Sequence, residues 1–585
     1  MKQNTRRCGV LMHPTSLPSK HGIGSLGDEA FQFLDLLKKT SVRLWQILPL
    51  GPTGYGDSPY AARSSFAGNE LLIDLKSLAY DGYLDVEDVF YNPDFPSDRV
   101  DYGMVRSFKE PLLEKAAQEF LAHAEPDELS AYQDFVSENA WWLDDYALYQ
   151  VLCRHYNDSR WFEIWPEELR LRKAAALKKA QKEFSSHIEI IKIQQYFFFT
   201  QWQKVKSYAN THGIQIIGDI PIFVAPDSVD AWANRHLLKI DKDGRQTVSS
   251  GVPPDAFSDD GQLWGNPVYD WEAHRKEGFS WWIKRIQKTL ETCDIVRIDH
   301  FRGFAAYWEV PQGEKTAMNG SWVEAPGKEL FVALKQALGN DLPIIAEDLG
   351  VITEDVEDLR DSNNFPGMKI LQFAFNVEGG KLDASNAYLP HNCVYNSVIY
   401  TGTHDNNTTR GWYDAMDGAG KDVVRRYLEC PDDQVVWQII RQMLLSCSKD
   451  AILPMQDWLE LGAEGRMNIP STCGQSNWSW RARSRHLAPW RIDRLRSLIE
   501  LSGRESNETT WESRLTRSAC SHVLASSART AWLYGTPFRM PTALSTMEVS
   551  RASVNILTSL MRPFSTCKCR LASPQSNRWV KKWVN

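Results

Sequence analysis

The segment "IVRIDHFRGF" at residues 295–304 places an arginine and an aspartate two positions apart in a run that otherwise reads as a buried β-strand. Side chains alternate along a strand, so Arg297 and Asp299 point to the same side. His300 and a second arginine, Arg302, follow at once. Three more carboxylates stand in comparable settings: Asp219 in "IQIIGDIPIFV", Glu347 in "LPIIAEDLG" and Asp405 in "NSVIYTGTHDN". A single carboxylate at a strand end is most often a helix cap or a loop anchor. Four of them, two with an adjacent histidine, point to chemistry instead. Paired carboxylates suit glycosidic bonds: one attacks the anomeric carbon and a protonated second one gives a proton to the leaving oxygen. The cation beside Asp299 is expected to keep that carboxyl ionised, and Asp348 is expected to help Glu347 retain its proton.

These residues need elements to position them. Eight short apolar runs recur, at 8–14, 42–50, 214–224, 294–301, 342–350, 368–375, 396–406 and 450–458. They are continuous rather than alternating, as strands covered on both faces are. Helical patterns lie between them, such as "SLGDEAFQFLDLLKKT" with Ser25 as its candidate cap, "GFSWWIKRIQKTLETC" and "GKELFVALKQALG". Eightfold strand–helix alternation predicts an α/β fold, a (β/α)8 TIM barrel, with a doubly wound open sheet as the second choice. The carboxylates select the barrel, because barrel enzymes gather their chemistry at the C-terminal strand ends. About 160 residues separate the second and third strands, so a subdomain is inserted at about 70–205 and its pattern is largely helical. Its basic run "RLRKAAALKKAQK" reads as a solvated helix face. A second insertion, at about 225–280, is rich in Gly, Pro and Asp and reads as an ordered loop over the active site.

Bulk properties narrow the function. A formal charge of −8 over 585 residues gives no reason to expect nucleic acid or an anionic membrane as partner. No apolar run is long enough for a membrane span or a signal peptide, and the ten cysteines lack metal-type spacing or a disulfide framework. The expectation is a cytoplasmic protein with free thiols. The 23 tryptophans are mostly core, though flat rings also suit the apolar faces of sugars.

The motifs then carry a resemblance. "VRIDHFRGF", "IAEDLG" and "TGTHDNNT" resemble the signature segments of the α-amylase clan at barrel strands four, five and seven. "GVLMHPTSLPSKHGIGSLGDEAFQFLD", "LWQILPLGPTGYGDSPYAARSSFAGNE", "GDIPIFVAPDSVDAWA" and "GQLWGNPVYDW" narrow it to the 4-α-glucanotransferases of glycoside hydrolase family 77, the amylomaltases or disproportionating enzymes. The resemblance runs from about residue 6 to about residue 505. It implies that Asp299 is the nucleophile, that Glu347 is the acid and then the base, and that Asp405 is a third carboxylate gripping sugar hydroxyls. It implies that Arg297 and His404 hold Asp299 and the reactive sugar, and that Asp219 orders the same subsite. Tyr60 would stack on the sugar at the bond being cut, Trp264 and Asn266 would shape the loop over the acceptor side, and Asn468 would lie near the donor side. The implied substrates are maltooligosaccharides and other 1,4-α-glucans, with glucose as an acceptor. The family implies no organic cofactor, and no metal cluster is visible in the sequence.

From Ser506 the resemblance stops. The last eighty residues hold eleven Lys and Arg against three Glu and no Asp. With no sustained helical or strand period, they read as an atypical basic extension that packs poorly. Trp511, Trp532, Trp579 and Trp583 leave a starch-binding module as the other reading of this tail. Two further functional readings stay open: an α-amylase-type hydrolase, and a catalytically silent glucan-binding protein on the same barrel. The intact set of Asp299, Glu347 and Asp405 argues against the silent reading. "GDIPIFV" and "GYGDSPYAA", which resemble the transferase lineage, argue against the hydrolase.

Overall fold

All eight apolar runs become strands of one parallel sheet, and the sheet closes on itself. The computed structural model describes residues 6–254, 258–375, 381–474, 476–483 and 488–504, and the backbone of 377–378. These residues belong to one compact unit, Met1–Asn507. The tail from Ser506, with its four tryptophans, lies outside the described residues.

The barrel strands are β1 (Arg7–Leu11), β2 (Leu44–Gln46), β3 (Gln215–Pro221), β4 (Ile295–Asp299), β5 (Ile344–Ala346), β6 (Gly367–Ile370), β7 (Ser397–Tyr400) and β8 (Asp450–Pro454). Each pairs in parallel with the next, and β8 returns to β1 with Arg7 opposite Asp450. That closing pair excludes the open sheet. β1 and β8 are buried along almost their whole length, which is why their sequences are apolar without alternation. On the N-terminal face, Arg7 Nε and Nη2 donate to the Asp450 carboxylate at 2.8 and 2.7 Å. Arg504 is fully buried beside it and donates to the carbonyls of Leu444, Arg7, Lys449, Ser446 and Ser448.

The helices follow their apolar stripes. In α1 (Asp28–Lys39), Ala30, Phe33, Leu34 and Leu37 are buried, at helical spacing. Ser25 does not cap it. The helix starts after Gly27, and the Ser25 hydroxyl instead donates to Glu29 at 2.8 Å. Between β2 and β3 the chain is largely helical, with α2 (Tyr102–His123), α3 (Pro126–Tyr156) and α4 (Ser185–Thr211) as its long members. A proline at the first turn and Glu125 with Glu128 start α3, and Asn157 in the left-handed region ends it. The basic run lies mostly on an exposed helix, Ala174–Glu183, where Ala180 is the buried residue. α5 (Ser280–Thr292) leads into β4, and α6 (Pro489–Ser502) follows the last strand. Among the described residues, seven tryptophans are essentially inaccessible, so much of the aromatic surplus is core.

The second insertion differs from the expected loop. Val248–Val252 and Gln262–Leu263 pair antiparallel with each other, and Val248–Val252 also pairs with Ala306–Pro311, which pairs with Ser321–Glu324. The result is a four-stranded sheet. "VSSGV" has no alternation to betray a strand, and its long partner lies about sixty residues away, beyond β4.

Candidate active site

Register sets the first half of the site. Asp219 of β3 lies opposite Arg297 of β4, so both side chains point into the barrel beside Asp299, the last residue of β4. Arg297 is 3% exposed. Its Nη1 donates to both oxygens of Asp219, at 2.8 and 2.7 Å, and its Nη2 donates to Asp299 Oδ1 at 2.9 Å. The Tyr60 hydroxyl donates to Asp219 Oδ2 at 2.8 Å. The arginine therefore serves two carboxylates, and Asp219 takes the larger share of its fork. This corrects one expectation. Burial pushes the Asp299 carboxyl up from its ordinary value; Arg297 opposes that rise without reversing it, and the charges of Asp219 and Asp405 add to it.

Glu347 follows β5 directly. Its Oε2 accepts the His300 backbone N–H at 2.7 Å, and its Oε1 accepts the Leu349 N–H at 3.2 Å. His300 has φ 53° and ψ 50°, a left-handed conformation that costs a non-glycine residue energy. That turn directs its N–H to the carboxyl. Glu347 has no cation of its own, and burial, then the charge of Asp299, raises it to about 8. Asp348 contributes least among the named causes, which corrects the other expectation. It turns away, accepting the Met368 N–H at 2.7 Å and Arg360 Nη1 at 2.5 Å. Gly367 makes room for it: a Cβ there would lie 2.3 Å from Asp348 Oδ2.

The loop after β7 supplies the rest. His404 Nε2 lies 3.3 Å from Asp405 Oδ2, and Asn468 Nδ2 donates to Asp405 Oδ1 at 2.7 Å. Burial works against the Asp405 charge, but His404 and the hydrogen bonds from His404 and Asn468 hold it well below the usual carboxylate range. Burial likewise lowers His404, and Asp405 more than offsets that, so the imidazole rises above its ordinary value. The Tyr60 ring stacks on His404 at 4.9 Å between centroids.

These groups line or adjoin an open cleft of about 1200 Å3. Tyr60, Asp299, His404, Asp405 and Asn468 border it directly, and so does Trp264, which follows the Gln262–Leu263 strand and is 37% exposed. Asn266 is placed differently from the others. Its side-chain amide donates to the Val224 carbonyl at 2.9 Å, tying the sheet to the end of β3. Sequence reading missed Trp478, whose ring lies 5.7 Å from both Tyr60 and His404 and lines the same cleft. It noticed His300 but gave it no role; the residue bonds Glu347 through its backbone and meets Trp264 edge to face at 4.8 Å. The aromatic "NWSW" near Asn468 was the signal available for Trp478.

An ionisable carboxyl held by arginine, a second held protonated, and an aromatic-edged cleft at the C-terminal end of a (β/α)8 barrel define an enzyme of glycosidic bonds. Comparison with known proteins gives the particular family. The family model described as 4-alpha-glucanotransferase, glycoside hydrolase family 77, matches residues 12–487. A 4-alpha-glucanotransferase of Streptococcus pneumoniae is 48% identical over 83% of this chain and 94% of its own length. One from Thermus thermophilus is 46% identical over 85% of this chain and 99% of its own. An amylomaltase from Streptococcus agalactiae, solved in complex with acarbose, superposes with a TM-score of 0.82 at 40% identity, over 86% of this chain and all of that one. The chain belongs to the 4-alpha-glucanotransferase family. Among the described residues, no helix is long and apolar enough to cross a membrane.

Proposed function

We propose that this chain transfers segments of 1,4-α-glucans to the 4-hydroxyl of glucose or another glucan, by two displacements at Asp299. A carboxylate oxygen of Asp299 attacks the anomeric carbon. Glu347 gives its proton to the departing 4-oxygen, and a covalent glucosyl ester remains. Esterification removes the Asp299 charge, one of the two main causes that raise Glu347. The Glu347 carboxyl then falls in pKa and can take the proton of the incoming 4-hydroxyl, whose oxygen attacks the anomeric carbon and frees Asp299. Configuration at the anomeric carbon is retained.

The supporting observation is the asymmetry of the two carboxyls: Asp299 has an arginine at 2.9 Å, while Glu347 is held by backbone N–H groups alone and rises to about 8. Asp405, already ionised and fixed by His404 and Asn468, grips hydroxyls and favours the oxocarbenium-like ring. Tyr60 and Trp478 supply the surface against the reactive sugar, and Trp264 bounds the acceptor side with Asn266 anchoring its sheet. Asp219 and Arg297 hold the nucleophile in place. Aromatic walls that exclude water favour a sugar over water as acceptor. The working unit is residues 1–505, acting in the cytoplasm on maltooligosaccharides without nucleic acid, membrane, metal or organic cofactor.

The test is incubation of the purified protein with maltotriose alone. Transfer yields longer maltooligosaccharides and free glucose at constant total reducing ends. Rising reducing ends would identify a hydrolase, and no change would identify a silent binder; either result refutes the proposal.

A further inference from the structure

Arg302, the second arginine of the "RIDHFRGF" segment, has no step in the proposed reaction, yet it is 8% exposed. It belongs to the short turn Phe301–Phe304 that follows β4. Its Nη1 donates to the Val351 carbonyl, in the loop beyond Glu347, and its Cζ lies 4.0 Å from the centroid of the Trp322 ring. Trp322 is in the Ser321–Glu324 strand of the four-stranded sheet. One side chain therefore joins the turn after Asp299, the loop after Glu347 and the sheet beside the cleft. A guanidinium taken out of water needs such partners, a carbonyl for its N–H and an aromatic face for its plane. It does not line the cleft, so any part it has in the reaction is played through another residue.

That residue is Glu347. Its carboxyl accepts two N–H groups, from His300 and Leu349. His300 lies two positions before Arg302 and Leu349 two positions before Val351, so the bond from Arg302 to Val351 closes a ring of contacts around the carboxyl. The sheet region meets the same turn twice, through Trp322 against Arg302 and through Trp264 against His300. The Glu347 backbone is fixed independently: its N–H donates to the Ile298 carbonyl and its carbonyl accepts the Phe301 N–H, both at 3.1 Å. Deleting the guanidinium therefore leaves β4 and β5 joined but releases the 349–351 loop from the turn. The two N–H groups then lose their fixed separation, and the carboxyl loses its aim at the departing oxygen.

We propose that Arg302 is a positioning residue for Glu347, holding in register the two N–H groups that aim the acid–base carboxyl. That Glu347 is the acid rests on the function proposed above; the clasp itself rests on the Arg302 contacts. The test compares two donors in the full chain carrying Arg302→Met, which keeps an apolar stem and deletes the guanidinium. With maltotriose, whose leaving oxygen needs a proton, kcat for transfer should fall about 10- to 100-fold, with KM within about twofold, because a misaimed acid forfeits part of its 10²–10⁴-fold contribution. First-turnover fluoride release from α-glucosyl fluoride, whose leaving group needs no proton, should stay within about threefold of the parent. Trp322 is 43% exposed, so Trp322→Ala leaves the fold intact, as an unchanged thermal melt verifies. It removes the ring against the guanidinium and should show the same donor-selective loss at smaller size. Equal losses with both donors, or no loss in either variant, overturns the proposal; if Arg302→Met does not fold, Trp322→Ala decides alone. Glu347→Gln, run beside them, separates the two readings. Normal transfer from maltotriose by that variant would sink the acid assignment, whereas a donor-selective loss confined to it would sink the positioning role alone.

Discussion

Replacing Glu347 with glutamine should make the protein more stable and nearly inactive. The folded state holds this carboxyl at about 8 against an ordinary 4.5. A raised acid pKa destabilises the folded state once pH exceeds the unfolded value, and the cost grows until pH passes the folded value. At pH 7 the cost is about 3 kcal/mol as a ceiling. Glu347 is half-buried, so solvent screens part of that. The amide keeps the 2.7 Å bond from His300 but sets an NH2 against the Leu349 N–H, which costs about 1 kcal/mol. The expected net gain is about 1–2 kcal/mol at pH 7 and largest above pH 8, and near pH 4 it turns into a loss of about 1 kcal/mol, the amide mismatch alone. Urea unfolding at pH 4, 7 and 9 measures it. General acid catalysis contributes about 10²–10⁴-fold, so transfer from maltotriose should fall by that factor. A glucosyl fluoride donor needs no proton for its leaving group and should still glucosylate Asp299. A stability difference that does not change with pH would refute the raised pKa, and near-parental transfer from maltotriose would refute the acid role.

Asp299→Asn should abolish turnover while leaving glucan binding largely intact, read by chromatography and calorimetry; an active variant would remove Asp299 from the mechanism. Asn468→Ala deletes a 2.7 Å hydrogen bond to the ionised Asp405 and should cost about 1.5–3 kcal/mol at neutral pH. Asp405 is depressed, so its stabilisation is full above the ordinary carboxylate range and fades as pH falls below about 4; melts at pH 3 and 7 should show the gap closing on the acid side. Arg504→Ala should destabilise by about 3–5 kcal/mol, because several buried carbonyls lose their donor together. Truncation after Asn507, by contrast, should leave transfer activity within about twofold of the full chain, since Arg504 already closes the barrel base; a large loss would give the tail a role.

The strands, their order along the chain and the acidic residues at their ends were legible because each is local. A run such as "DAILP" is apolar over its own length, and "RIDHF" places Arg297 and Asp299 on one side by alternation alone. Counting eight such runs left an open sheet as the second choice, and the carboxylates at their C-terminal ends selected the closed barrel. What the sequence could not contain was the distribution of partners. Arg297 directs Nη1 to both oxygens of Asp219 because β3 and β4 align those two residues, a register set between segments almost eighty positions apart, and only Nη2 is left for Asp299. Glu347 keeps its proton through burial and the nearby Asp299, against the pull of the His300 N–H, and its chain neighbour Asp348 adds least. Trp478 reaches Tyr60 across more than four hundred residues, and the sheet bearing Trp264 pairs strands from either side of β4. Local periodicity determines backbone conformation, whereas burial and contact depend on where chain closure brings distant segments. For this protein, therefore, the sequence alone determined the fold class and the acidic residues available to it, and tertiary structure decided which of them is charged.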